Sequence, residues 1–280
     1  MQTNTESRVG PISQQLFLKL KQCEAKAAID CVGIGLIKND AQATLALALL
    51  EAYGDASEGF IYFEPCTARS TTRPPDAVLC TRDAGIVVIE CKGYPIDSIQ
   101  GVKAGSLLIA KRGRIVQEGP FSQVRDAMFA VKGSVDKLLG AQYGGPLFTY
   151  LVSLPNITSQ EWASKKYDQS FPSDEVIFGD QLIASILRNK IDTLVCSGLV
   201  QSKRSKPINQ GDIDLIKHVF GDSDVINREK HMPVGLVNET LGLVIAQNEA
   251  SEKSMSTDQK SLCDLAVGGF PRYAYGQAHG

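Results

Sequence analysis

Histidine is scarce in this chain: only three occur in 280 residues, at 218, 231 and 279. That leaves little material for a histidine-based zinc centre or for serine–histidine hydrolase chemistry. The seven cysteines (23, 31, 66, 80, 91, 196 and 263) include no C-x-x-C pair. An odd, irregular set of this kind speaks against a zinc ribbon or disulfide scaffold and for reduced thiols in a cytoplasmic protein. No apolar run approaches the roughly 20 residues of a membrane-spanning helix, so no membrane partner is expected. The opening MQTNTESRVG lacks the charged-then-apolar plan of a secretory signal. Excess positive charge is missing too. A formal net charge of -2 argues against a chain basic all over its surface, while a local basic groove stays compatible with it.

What is present suffices for a core, with 43 % hydrophobic and 21 % charged residues. Ile12, Leu16, Leu20, Cys23 and Ala27 are spaced for one apolar helix face, which predicts a helix over 12–31. A second helix is predicted over 41–53, capped by Asn39 or Asp40 and stopped at Gly54. Residues 59–64 read as a short aromatic strand, followed by the polar loop CTARSTTRPP. Strands at 76–80 and 86–92 flank the turn Thr81-Arg82-Asp83-Ala84-Gly85 as a hairpin, and 106–110 with 114–117 form a second one. A helical period runs from Phe121 to Leu139. Strands follow at 147–154 and 175–178, with helices at 180–187 and 212–219. The order implies an α/β or α+β class with a mixed sheet. The polar stretch 246–258 reads as a linker, and there is no internal repeat.

The chemistry concentrates on the first hairpin. If Cys80 pairs with Ile86, the antiparallel register sets Asp76 opposite Glu90, and Lys92 follows on the same face two residues on. Two carboxylates so close repel unless a proton or cation lies between them. A divalent ion such as Mg²⁺ takes oxygens from one or two carboxylates plus waters and phosphate. The apolar run Ile86–Ile89 reads as a strand covered on both faces, where charged residues are costly unless paired or metal-bound. The bland alternatives are a surface Glu-x-Lys ion pair and, for Asp76 after Pro74-Pro75, a turn residue. Arg69, Arg73, Lys103, Lys111, Arg112 and Arg114 lie on loops or a hairpin tip, where they could hold a phosphate backbone or simply be solvated. Gln123 stands in the first turn of the helix opened by Pro120, a place where it would face the site or act in capping.

Asp76, thirteen residues, Glu90-Cys91-Lys92 and then Pro120-x-x-Gln123 resemble the nuclease-related NERD domain of the PD-(D/E)XK restriction-endonuclease-like superfamily. The resemblance covers roughly 34–187, including LFTYLVSLPNIT and GDQLI. It implies a restriction-endonuclease-like mixed central sheet flanked by helices, and Mg²⁺- or Mn²⁺-dependent DNA cleavage. Position by position, it implies Asp76, Glu90 and the backbone carbonyl of Cys91 as metal ligands, Lys92 as the catalytic lysine and Gln123 as the family's helix glutamine. Many relatives carry a Glu at the start of the first core helix. This chain reads Asn39-Asp40-Ala41-Gln42 there, with Asp40 or Gln42 as substitutes.

Near the C-terminus, Ser256-Thr257-Asp258-Gln259 and then RYAYGQAHG resemble the entry to a superfamily 1 helicase core. Gln259 would read adenine there, and Gly276–Gly280 would begin a phosphate loop. No Lys-Ser/Thr follows, so no independent ATPase is expected. The implied organisation is an N-terminal helical extension (1–34), a nuclease domain (35–190), a helical or irregular extension (191–245), and a linker with an incomplete helicase-like start (246–280). The expected function is a DNA nuclease, as part of a nuclease–helicase in DNA repair or defence against foreign DNA. The alternative is a nuclease-like fold that binds DNA or a partner without cutting. The expected partners are DNA and a helicase domain or subunit, with a homo-oligomer left open.

Overall fold

The unbroken apolar run Ile86-Val87-Val88-Ile89 can be buried only where a strand is covered on both faces, and in the computed structural model it lies inside a six-stranded sheet. The structure describes residues 12–65, 74–139, 146–170, 174–201, 208–217 and 219–220. All of them belong to the unit Met1–Phe220. The strands are β1 (Asp30–Val32), β2 (Gly59–Phe63), β3 (Ala77–Thr81), β4 (Gly85–Cys91), β5 (Ile99–Lys103), β6 (Ser106–Lys111), β7 (Arg114–Glu118), β8 (Phe148–Leu154) and β9 (Val176–Phe178). The helices are α1 (Gln14–Glu24), α2 (Asp40–Tyr53), α3 (Pro120–Leu139), α4 (Ser159–Ser164), α5 (Ala184–Gln201) and α6 (Gln210–Lys217).

The chain is mixed α/β. Its main sheet runs β1-β2-β3-β4-β8-β9, and β5-β6-β7 form a separate antiparallel sheet. β4 pairs antiparallel with β3 and parallel with β8, so the main sheet is mixed. Alternation along β4 feeds two cores. Val87, Ile89 and Cys91 pack on one face, in a cluster with Leu45 and Leu49 of α2 and Ile191 of α5. Ile86 and Val88 pack on the other, with Val124 and Val131 of α3 and Ile213 of α6. Among the described residues no helix is long and apolar enough to cross a membrane.

Three expectations change. The helix predicted over 12–31 ends at Glu24. The N–H groups of Ala28 and Ile29 both donate to the Gly54 carbonyl, at 2.6 and 3.3 Å. Asp30–Val32 then pair in parallel with Phe60–Tyr62, so sheet pairing overrides the helical period. The helix predicted over 180–187 is displaced to Ala184–Gln201, across the boundary expected at position 190. Asp180 instead holds the start of α4, accepting from the Ser159 N–H at 2.8 Å and its hydroxyl at 2.6 Å. β5 is an additional strand that the sequence did not announce. It carries Gly101 and a register shift between Ile99 and Gly101, which break the alternation that marks a strand. Leu20 of α1 is fully buried in the core under α2, so the segment before residue 35 contributes to the same interior.

Candidate functional site

The β3–β4 hairpin closes through Arg82-Asp83-Ala84, where the Ala84 N–H donates to the Thr81 hydroxyl at 3.0 Å. Gly85 follows at φ +68, a left-handed conformation that favours glycine. This turn sets Cys80 opposite Ile86 and Ala77 opposite Ile89. Continued one residue past Ala77, where β3 begins, this register would set Asp76 opposite Glu90, and the Asp76 carboxylate bonds the N–H of the neighbouring Cys91. At this end of the hairpin Asp76, Glu90 and Lys92 are buried, with 6 %, 2 % and 5 % exposure.

Burial demands partners for each charge. Lys92 Nζ donates to Glu90 Oε1 at 2.7 Å, inside the protein. Asp76 Oδ2 accepts from the Cys91 N–H at 2.6 Å, and its Oδ1 accepts from Gln42 Nε2 at 2.9 Å. Gln42 Nε2 also donates to Glu64 Oε1 at 2.8 Å, while the other Glu64 oxygen accepts from Lys38 Nζ at 2.9 Å. The orientation of the Gln42 amide is set from behind. Its Oε1 accepts from the Lys38 N–H at 3.0 Å and from Asn39 Nδ2 at 3.2 Å. Burial raises the Asp76 pKa to about 7, helped by the charges of Glu90 and Glu64 and opposed by the Cys91 N–H and the Gln42 amide.

The first turn of α2 places Gln42. Asn39 caps the helix, its side chain accepting from the Gln42 N–H at 3.0 Å. Asp40 turns away and accepts from the Ser13 N–H at 2.7 Å. Of the two substitutes for the absent helix Glu, Gln42 therefore reaches the site and Asp40 does not. Gly93, leaving β4, runs so close to α2 that an added Cβ would lie 2.9 Å from the Ala41 Cβ. Only a residue without a side chain lets the site strand and the helix approach this closely.

Sequence reasoning missed Glu64. It stands just after β2 with φ +47, and its N–H donates to the Asp76 carbonyl at 2.9 Å. A left-handed glutamate is uncommon, and nothing in the local sequence announces it. Also missed was a polar knot beyond Lys92. The Tyr94 hydroxyl donates to Glu118 Oε2 at 2.6 Å, and Lys111 Nζ bonds both Glu118 and the Tyr94 hydroxyl. Against the cost of its burial, these two bonds and the charges of Lys111 and Lys92 hold the Glu118 carboxyl below its ordinary range. Lys111 is thereby committed to an internal partner, a departure from its expected role as a free phosphate contact.

The remaining candidates divide. Gln123 lies in the first turn of α3, and its Oε1 is buried with no hydrogen-bond partner among the described residues. Arg112 and Arg114 are exposed at the β6–β7 turn, while Lys103 is exposed beside the β5–β6 turn at the other end of β6. At about 3.3 Å per residue, β6 separates these ends by roughly 17 Å, so the basic residues do not form one cluster. Arg69, Arg73 and Gln259 lie outside the described residues, as do the linker 246–258 and Gly276–Gly280.

Among the described residues no group of three or more His, Cys, Asp and Glu is arranged to hold a metal ion. The buried donors on the hairpin are the two carboxylates of Asp76 and Glu90, hard oxygens of the kind Mg²⁺ accepts together with water and phosphate. No protein-family model matches the chain, and neither a curated protein nor a solved structure matches it.

Proposed function

We propose that this chain is a Mg²⁺- or Mn²⁺-dependent nuclease that hydrolyses DNA phosphodiester bonds, in line with its resemblance to the NERD domain. The observation that carries the reading is the burial of Asp76, Glu90 and Lys92 together at one end of a single hairpin. Three charged side chains at the end of a doubly covered strand are costly to fold around, and catalysis supplies a reason to keep them there. Asp76 and Glu90, with the Cys91 carbonyl, are the groups that would hold the cation. When bound, such an ion lowers the pKa of a water and polarises the phosphodiester. Lys92, whose ammonium donates to Glu90, would stabilise the charge that develops on the phosphoryl oxygens. Gln123, with its unpartnered Oε1, is suited to orient water or substrate. Arg112 and Arg114 at one end of β6, and Lys103 at the other, are the described candidates that stand exposed to meet the phosphate backbone.

The test is cleavage of labelled linear and circular DNA with Mg²⁺, comparing wild type with Lys92→Ala. Cutting by the wild type alone is expected, and cutting that survives Lys92→Ala would refute the mechanism. Glu90→Gln should weaken Mg²⁺ binding in calorimetry, and unchanged affinity would remove Glu90 from the ligand set.

A second reading, a nuclease-like fold that grips DNA or a partner without cutting, is favoured by one observation. An amide, Gln42, rather than a carboxylate reaches the site from α2 and is already bonded to Asp76 and Glu64. Retained DNA binding with no cutting under either Mg²⁺ or Mn²⁺ would select it. A helicase partner, a role in repair or defence and a cytoplasmic location rest on the sequence and belong to the same proposal.

A further inference from the structure

A sheet edge exposes backbone donors and acceptors that can recruit another strand, and proteins ordinarily protect such edges. Four strands here have an outer side: β1 and β9 in the main sheet, β5 and β7 in the small one. β1 and β9 are only three residues long. β5 is broken by its register shift, and its Ile99 carbonyl accepts from the Tyr167 hydroxyl at 3.0 Å. β7 has none of these protections. It is a regular five-residue strand, its backbone bonds no described residue beyond β6, and residues 114–117 are exposed. Ile115 is 66 % exposed and Val116 38 %, and the strand contains neither proline nor lysine.

The order of residues says what fits this edge. Read as Arg114-Ile115-Val116-Gln117-Glu118, the strand carries opposite charges at its two ends around a central apolar residue. Arg114, Val116 and Glu118 oppose Lys111, Ile109 and Leu107 of β6, so they share the face that continues the buried side of the small sheet. A second copy of β7 laid antiparallel about Val116 places Arg114 opposite the partner's Glu118 and Glu118 opposite the partner's Arg114, with Val116 facing its own copy. Directly opposed residues in such a pair have Cβ atoms about 4.5–5.5 Å apart, and opposite charges there stabilise the pairing. A parallel pairing would set like charges together. The two-fold arrangement is the one a closed homodimer requires.

We propose that β7 is a dimerisation edge, and that two copies of this chain join their small sheets through antiparallel β7–β7 pairing centred on Val116. The pairing also engages Arg114, which would then be shared between the partner subunit and any phosphate. This does not depend on the nuclease reading. A five-residue pairing is a small interface, so the dimer should be weak and form at about 100 µM rather than at nanomolar concentration.

Analytical ultracentrifugation of the full chain tests it. Wild type should reach twice the chain mass as concentration rises. Arg114→Glu and Glu118→Arg should each stay at the mass of one chain, because each sets like charges face to face twice. An equimolar mixture of the two variants should regain the double mass, since both opposed pairs are then complementary. Val116→Lys, which leaves the Glu118 bonds untouched, should also be monomeric. Wild type that remains one chain up to about 500 µM overturns the proposal. So does a dimer indifferent to both Arg114→Glu and Val116→Lys. Folded single variants, judged by circular dichroism, that fail to recombine would overturn the antiparallel register.

Discussion

The two ends of the β3–β4 hairpin both gather charged residues, yet they treat them in opposite ways. At the open end Asp76, Glu90 and Lys92 are buried and bonded to one another, to the backbone or to Gln42. At the turn end a cleft of about 900 Å³ is lined by Tyr53, Asp55, Glu58, Arg82, Arg188 and Asp192. Its ion pairs lie in solvent: Arg188 to Asp55 at 3.0 Å, with side chains 44 % and 79 % exposed, and Arg82 to Glu58 at 4.0 Å. Concavity alone would point to the turn end. Burial and bonding point to the other, because an exposed ion pair costs little to keep and changes little when lost, whereas a buried one constrains everything around it.

The largest expected effect breaks the comparison at its buried end. Lys92→Met leaves Glu90 charged and without its ammonium at 2 % exposure. Removing one member of a buried pair costs about 3–5 kcal/mol. Urea unfolding should therefore show a loss of that order, and much of it should return in the double variant Glu90→Leu, Lys92→Met, where no charge is stranded. A single variant as stable as wild type would mean that the pair is solvated and the burial argument fails.

The turn end is sensitive in its backbone instead. Gly85 has φ +68, and an added Cβ would stand 2.6 Å from the Leu147 carbonyl oxygen. Gly85→Ala must distort the start of β4 or the approach of β8, at a cost of roughly 1–3 kcal/mol from the conformation alone. A fall in thermal midpoint is the readout, with the Glu90–Lys92 pair left in place. Gln42→Leu should cost about 1–3 kcal/mol, because it strips a donor from two carboxylates, Asp76 and Glu64, at once. Gln42→Asn, too short to span both, should fall between leucine and wild type.

These contrasts also show what a linear sequence can and cannot display. The hairpin register was legible, because residues 76–92 carry their own alternation and turn, and one pairing of Cys80 with Ile86 determines the rest. The mixed α/β architecture followed from the order of periods, and the bounds of α2 from Asn39 and Gly54. Glu64 was different, and Gln42 was open only as one of two substitutes for the helix Glu. Gln42 meets Asp76 and Glu64 from far back in the chain, and what joins the three is the seating of α2 beneath the sheet rather than any local pattern. β1 escaped notice for the same reason, since its partner β2 lies beyond the whole of α2. Lys111 was legible as a basic residue, but its capture by Glu118 and Tyr94 depends on how β6, β7 and the segment after β4 come together.

The smallest effect sharpens the comparison most. Asp55→Ala removes the carboxylate from an exposed pair and should change stability by less than about 1 kcal/mol, an effect that fades in high salt. Arg188→Ala should cost somewhat more, since the guanidinium also lies 5.0 Å from the centre of the Tyr53 ring, and a cation over an aromatic face adds about 0.5–1 kcal/mol at an exposed site. That extra part arises from short-range contact with a buried ring and should survive high salt. The difference between the two variants in about 1 M salt therefore isolates the ring contact from the ion pair. If Asp55→Ala instead matched Lys92→Met, exposure would not be what separates the two ends. The case for a site at Asp76, Glu90 and Lys92 would then lose the contrast on which it stands.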